Sequence, residues 1–332
     1  MSSGDSREAA ATACVRAALS AGLEREIAAI RRLDDRRRIA EIGVFTTLWI
    51  AGIGFGLRGL EAQGLPALLP RLAGIAACAA ALNAFYLLSH EGHHNLLFRR
   101  RSLNYGANVA LCIPLLHSPT AYRVLHELHH RHLGGPGDPD EYRNYTNRPW
   151  LRWTLHWVRL TMGTLVYMPL IPLVGWRRAG RSDRRRIALE YAAMSVVWMA
   201  AFTLVPIRVL MQVWLVPGIV VGYISAVRAL AQHALTESRD PLLASRSVRS
   251  NRVVSFLMLH ENYHLEHHLF PDVPSYRLPA LRDLIRPRLL HRVEAASYTR
   301  FLAGFIRRTA RGDESVLGFR PSTVTESGVA RA

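Results

Sequence analysis

Four stretches of this chain are nearly free of charge and close to the length at which a helix can leave water. They cover residues 42–57, 72–89, 188–206 and 209–227, and the first reaches spanning length with its flank, at about 42–60. A bilayer-crossing helix needs about 17–25 largely apolar residues, because its backbone polar groups must be paired within the segment. Glu190 is the one charged residue within the four runs. The expected fold is therefore all-α and integral to a membrane, with four transmembrane helices. Composition alone would not reveal this. Half the residues are apolar and 20% are charged, close to the roughly 25% charged of soluble proteins. The competing reading is a soluble all-α protein in which the same four runs are buried helices.

The arginines set the expected topology. All 42 basic residues are arginine, and the net charge is +17. Arginine clusters stand at 31–38, 99–101 and 177–186, whereas the two intervening loops hold only Arg58 and Arg71 in one and Arg208 in the other. Basic residues concentrate in cytoplasmic loops, so four crossings place every cluster, and both termini, inside. A fifth apolar stretch, 160–176, is interrupted by Pro169 and Pro172. Were it to cross, the 177–186 cluster would face outward. That stretch and 109–116 are read as interfacial or re-entrant segments. So basic a surface suits anionic lipid or an acidic protein partner, and no nucleic-acid reader motif accompanies it.

The domain reading follows. Residues 1–38 form a polar, partly helical cytoplasmic segment, and 39–311 a membrane domain. Its regions 90–187 and 228–311 form a cytoplasmic helical cap. An arginine-studded amphipathic helical pattern runs over 281–311, and 312–332 reads as a polar, flexible tail. No early apolar run suggests a cleaved signal peptide. Cys14, Cys78 and Cys112 are scattered and lack a C-x-x-C pair, which argues against a disulfide framework or a cysteine-held metal. Cys78 and Cys112 are expected to be small core residues.

The chemistry lies in the fifteen histidines. Three groups dominate: His90-Glu-Gly-His93-His94, His126-Glu-Leu-His129-His130-Arg-His132 and His260-Glu-Asn-Tyr-His264-Leu-Glu-His267-His268. His233 closes the fourth run, while His117, His156 and His291 read as ordinary core or surface residues. Helix positions i, i+3 and i+4 share a face, so His126, His129 and His130 project together, as do His264, His267 and His268. His90 and His94 lie one turn apart. Imidazole suits iron, copper, nickel and zinc rather than calcium or magnesium. With four crossings, all the groups emerge on one side of the membrane and can converge. Each also satisfies H-E-x-x-H, the zincin pattern. A catalytic zinc takes about three protein ligands, which would leave six or more clustered histidines without a role. The surplus suits two metals.

These boxes, the isolated histidine after the last run, and Asn-Tyr-His264-Leu-Glu-His267-His268-Leu-Phe-Pro resemble the membrane fatty-acid desaturase superfamily, which includes hydroxylases and carotenoid-modifying oxygenases. The resemblance covers about 42–281. It implies two non-haem irons, dioxygen as oxidant, and two electrons from a separate donor. It also implies a ligand set of His90, His94, His126, His129, His130, His233, His264, His267 and His268. His93, His132 and His260 are additional, and Ala229 stands where some members carry an asparagine four residues before the isolated histidine. Glu91, Glu127, Glu261 and Glu266 could orient ligand imidazoles or face solvent.

The leading expectation is an oxygen-dependent desaturase acting on an acyl chain or lipid. The first alternative is a hydroxylase or ketolase of the same architecture, acting on a carotenoid or specialised metabolite. The more distant ones are a membrane zinc protease and a metal-binding transporter. Transport would favour polar residues at mid-span, and beyond Asn83, Gln212 and Glu190 the runs hold few. No His-Pro-Gly-Gly haem motif is present, so the donor is expected to be separate, of ferredoxin or cytochrome type and acidic enough to be drawn to the basic face.

Overall fold

The computed structural model describes residues 3–234, 241–289 and 294–312. Its helices are α1 (Ser3–Ser20), α2 (Glu24–Ile30), α3 (Asp35–Glu61), α4 (Leu65–His93), α5 (Arg101–Cys112), α6 (Pro119–Arg131), α7 (Pro149–Arg178) and α8 (Arg181–Leu204). They are followed by α9 (Ile207–Leu210), a π-turn at Met211–Leu215, α10 (Val216–His233), α11 (Arg252–Leu257), α12 (His264–Leu269), α13 (Leu278–Ile285) and α14 (Tyr298–Ala310). Strands β1 (Ser247–Val248) and β2 (Glu294–Ala295) form a two-residue parallel pair. The tail expected over 312–332 lies outside the described residues except for Gly312, and His291 lies outside them too.

Four helices are long and apolar enough to cross a bilayer: Asp35–Glu61, Leu65–His93, Arg181–Leu204 and Ile207–His233. Three of them contain their expected runs, and Arg181–Leu204 covers the third up to Leu204, the chain turning extended at Val205 before Pro206. The apolar window of the third is only 17% buried, and Leu189, Val196, Val197, Met199, Phe202 and Leu204 lie open on its surface. A soluble protein would bury such a helix. Hydrocarbon tolerates it, and the chain is an integral membrane protein.

The chain forms two compact units: 33–124 with 164–225, and 1–32 with 125–163 and 226–332. The first, here the membrane unit, is organised by α3 against α4. The Asp34 carboxylate accepts from the amides of Arg36 and Arg37 and starts α3. The two helices meet across glycines. A Cβ on Gly52 would lie 2.8 Å from Cys78 Sγ, and one on Gly74 would lie 2.7 Å from the amide of Gly56. Small residues at this spacing let membrane helices approach closely, and Cys78 is buried in the contact as expected. The Arg38 side chain, wholly buried, donates to Glu41 at 2.8 Å and to Glu91 at 2.6 Å. It pins the first turn of α3 to the last turn of α4.

Glu190, charged and within a span, is also accounted for inside this unit. It is buried and accepts from the Ser118 hydroxyl, from the Thr120 amide at 3.2 Å and from the Tyr105 hydroxyl at 2.7 Å. These donors compensate its loss of water. Trp198 and Trp214 donate their indole N–H groups to the carbonyls of Ile113 and Pro114, each at 2.8 Å. The short turn after α5 is thereby anchored.

The structure adds detail in three places. The helix α7 runs through Pro169 and Pro172. The bent break falls instead between Gly163 and Leu165, where the chain passes from one unit to the other. Neither piece alone has the ~20 residues of a span. The amphipathic pattern over 281–311 resolves into α13 and α14 with β2 between them. The segment before residue 33 is helical, and α1 and α2 bury Leu19 and Ile27 against Leu265, Leu269, Phe270, Leu281 and Ile285. Regularly spaced apolar residues on a mostly charged segment suffice to dock it.

Candidate metal centre

Six histidines of the second unit stand on two helices, His126, His129 and His130 on α6 and His264, His267 and His268 on α12. His233, also in this unit, ends α10. The i, i+3, i+4 spacing presents three rings from one face of each helix, and the fold turns them toward one another. The Nε2 atoms of His126 and His130 are 3.0 Å apart, and those of His130 and His267 are 3.1 Å apart. His264 Nε2 lies 2.8 Å from that of His233 and 3.1 Å from that of His268. Two clusters result, His126 with His130 and His267, and His129 with His233 and His268, with ligand nitrogens inside 4.8 Å of one another.

This spacing fits a metal ion. Imidazole nitrogens bind a first-row divalent ion at about 2.1 Å. Two such bonds at right angles put the nitrogens about 3 Å apart, as observed here. A neutral Nε2 either donates or accepts one proton, so rings that turn Nε2 atoms toward common points satisfy one another poorly by hydrogen bonds alone. The residues fit an imidazole-preferring transition metal.

The surrounding groups have separate duties. His129 Nδ1 donates to the two oxygens of Asp138 at 2.9 and 3.1 Å, and Asp140 stands 3.6 Å away. Burial disfavours the charged form of His129, but Asp138 and then Asp140 outweigh it, and the pKa is pushed up to about 9. His268 moves the other way, well below the usual histidine range, through burial and then the neighbouring His130, His264, His129 and His233. Sequence reasoning missed Asp138. It sits in a Gly-Gly-Pro-Gly-Asp-Pro-Asp segment that reads as a turn, and its nearness to the second box was the available signal.

The glutamates inside the boxes divide. Glu91 faces Arg38, Glu266 accepts from Ser247 and stands 3.6 Å from Arg282, and Glu127 is exposed. Glu261 approaches His264 Nδ1 at 3.6 Å. The extra histidines stand apart from the candidate ligand groups found among the described residues. His132 packs under Gly137. His260, in a left-handed turn with φ 62°, lies 3.0 Å by its Nδ1 from the Ser255 hydroxyl. His156 is buried against Phe305 at 5.3 Å between ring centroids.

In the membrane unit, His90 and His94 close α4 as a pair with ring centroids 5.1 Å apart. His93 points elsewhere on the same turn. Its Nδ1 lies 3.2 Å from Asn108 Nδ2, and its ring is 4.7 Å from that of Tyr122. His117 is buried beside Cys112, with Nε2 3.4 Å from Sγ, and burial pulls its pKa down to about 4.

Four apolar spans and clustered imidazoles able to hold metal define a membrane-embedded protein of the histidine-box kind. The sequence model of the fatty acid desaturase family matches residues 66–299, and the chain belongs to that family. It is an oxidoreductase of desaturase type. Similar proteins include the sphingolipid delta(4)-desaturase/C4-monooxygenase of Mus musculus, 25% identical over 69% of this chain and 70% of that one. The dihydrorhizobitoxine desaturase of Bradyrhizobium elkanii is 24% identical over 72% and 71%. The chloroplastic omega-6 fatty acid desaturase of Arabidopsis thaliana is 22% identical over 62% of this chain and 51% of its own length.

Proposed function

We propose that this protein is a membrane di-iron desaturase that introduces a double bond into an acyl chain or a lipid-like substrate. Dioxygen accepts four electrons and leaves as two waters. Two of the electrons come from the broken C–H bonds and two from an external donor. The observation that carries this reading is the set of Nε2 approaches between 2.8 and 3.1 Å among histidines of three helices. Two irons bound there would supply, with dioxygen, the oxidising chemistry that acid–base side chains lack for an unactivated C–H bond.

The protein's share is to hold the imidazoles in register and to keep Glu91 and Glu266 occupied. Asp138 holds the ring of His129, and Arg38 engages Glu91. The number of clustered histidines, well beyond the roughly three protein ligands of a catalytic zinc, speaks against the zinc-protease reading. We assign all nine histidines as ligands, His90, His94, His126, His129, His130, His233, His264, His267 and His268. The first two enter on the resemblance and on their pairing at the end of α4. The histidine boxes, both termini and the arginine cluster at 177–186 are assigned to the cytoplasmic side. Arg186, 59% exposed there, suits an acidic ferredoxin- or cytochrome-type donor.

A second reading has one specific support, a relative whose name joins a desaturase with a C4-monooxygenase. If hydroxyl is returned to the carbon instead of a second hydrogen being removed, the product is an alcohol. The deciding experiment is mass spectrometry of lipids and small metabolites from cells with and without the active gene. A species short of two hydrogens establishes desaturation, a species with one added oxygen establishes hydroxylation, and unchanged profiles with peptidase activity would overturn both.

A further inference from the structure

The loop after α6 is built around one carboxylate. Asp138 is 4% exposed. It accepts from the Gly134 amide and the Asp140 amide, each at 2.9 Å, while Asn144 Nδ2 donates to its carbonyl at 3.1 Å. Gly137 lets the chain close onto His132, since a Cβ there would lie 2.7 Å from the ring. So held, both oxygens of Asp138 face His129 Nδ1 at 2.9 and 3.1 Å. An ionised carboxylate only accepts. The shared proton therefore belongs to Nδ1, and a metal that displaces the ring's other proton binds at Nε2. Nε2 is then the atom His129 offers to its group with His233 and His268.

We propose that Asp138 is a positioning residue that fixes the Nδ1–H tautomer of His129 and thereby tightens one of the two metal positions, the one His129 serves. The inference rests on the di-iron reading and goes beyond it by assigning a residue outside the histidine boxes. Groups that orient metal-bound imidazoles typically govern metal affinity by roughly 10–100-fold. Asp138 acts through His129, so its loss should weaken one metal equivalent and spare the other.

The test is anaerobic titration of the full-length, metal-stripped protein in lipid nanodiscs with Fe(II), followed by Mössbauer spectroscopy of samples loaded with enriched iron. Wild type should take up two equivalents. Asp138→Asn should bind one of them roughly 10–100-fold more weakly, and the Mössbauer signal of that site should fade. Asp138→Glu, which keeps a carboxylate, should restore part of the loss. If Asp138→Asn binds both equivalents as wild type does, or both weaken equally, the positioning role is overturned. Should Asp138→Asn not be recovered from membranes, Asp138→Glu decides alone, since equal weakening of both equivalents, or of neither, overturns the proposal. A wild type that takes up fewer than two equivalents would instead overturn the di-iron reading.

Discussion

Replacing Arg38 by alanine probes the tie between the first two spans. The guanidinium is wholly buried and reaches Glu41 at 2.8 Å and Glu91 at 2.6 Å, with Glu91 itself at 0% exposure. Glu41 retains Arg37 at 3.2 Å, so the loss falls on Glu91, which would be left as a buried carboxylate without this cation. Breaking such a pair from one side costs about 3–5 kcal/mol. For a chain of this size that corresponds to a fall in Tm on the order of 5–10 °C. Removing both charges is a different perturbation, because the desolvation penalty of each disappears. Arg38→Met with Glu91→Leu should recover most of the deficit. The assay is thermal unfolding in nanodiscs, arranged as a double-mutant cycle. If Arg38→Ala stays within about 1 kcal/mol of wild type, or the double variant is worse than the single, the buried-pair reasoning fails.

Other outcomes test the remaining assignments. Alanine at His94, His130, His233 or His268 should lower turnover by at least ~100-fold, more than losing an orienting group costs, with normal membrane insertion, while His156→Ala keeps activity. Near-normal turnover of His233→Ala would remove it from the ligand set. In a background lacking Cys14, Cys78 and Cys112, Gln63→Cys should react with an impermeant thiol reagent in intact cells and Ser182→Cys should not. Gln63 is chosen because neighbouring Gly64 holds φ 68°, where a side chain is strained. Outside labelling of Ser182→Cys would overturn the topology. Gly52→Ala should destabilise by about 1–3 kcal/mol, because its Cβ would lie 2.8 Å from Cys78 Sγ. Gly54→Ala, with open space at its Cβ, should be neutral or stabilising by up to ~1 kcal/mol, and equal effects in thermal unfolding would refute the glycine-notch packing.

By itself the sequence determined the four spans and the chemical character of the site. The signals there are local and strong. An uncharged run of about 20 residues has few places to go but hydrocarbon, and i, i+3, i+4 histidines share a face on any helix. Cys78 and Cys112 were legible as core for the same reason, being small apolar residues in apolar runs. Tertiary structure decided the rest. That Asp138 turns back onto His129, that Glu190 is satisfied by Ser118, Thr120 and Tyr105, and that Arg38 reaches Glu91 are contacts between elements distant in the chain or across a loop. Turn-forming and charged residues carry no local mark of such partners. The docking of α1 and α2, and the continuity of α7 through Pro169 and Pro172, belong here too. In both, packing against neighbours outweighs propensity, because a few buried apolar side chains contribute more than the lost backbone bond or the unfavourable local composition removes.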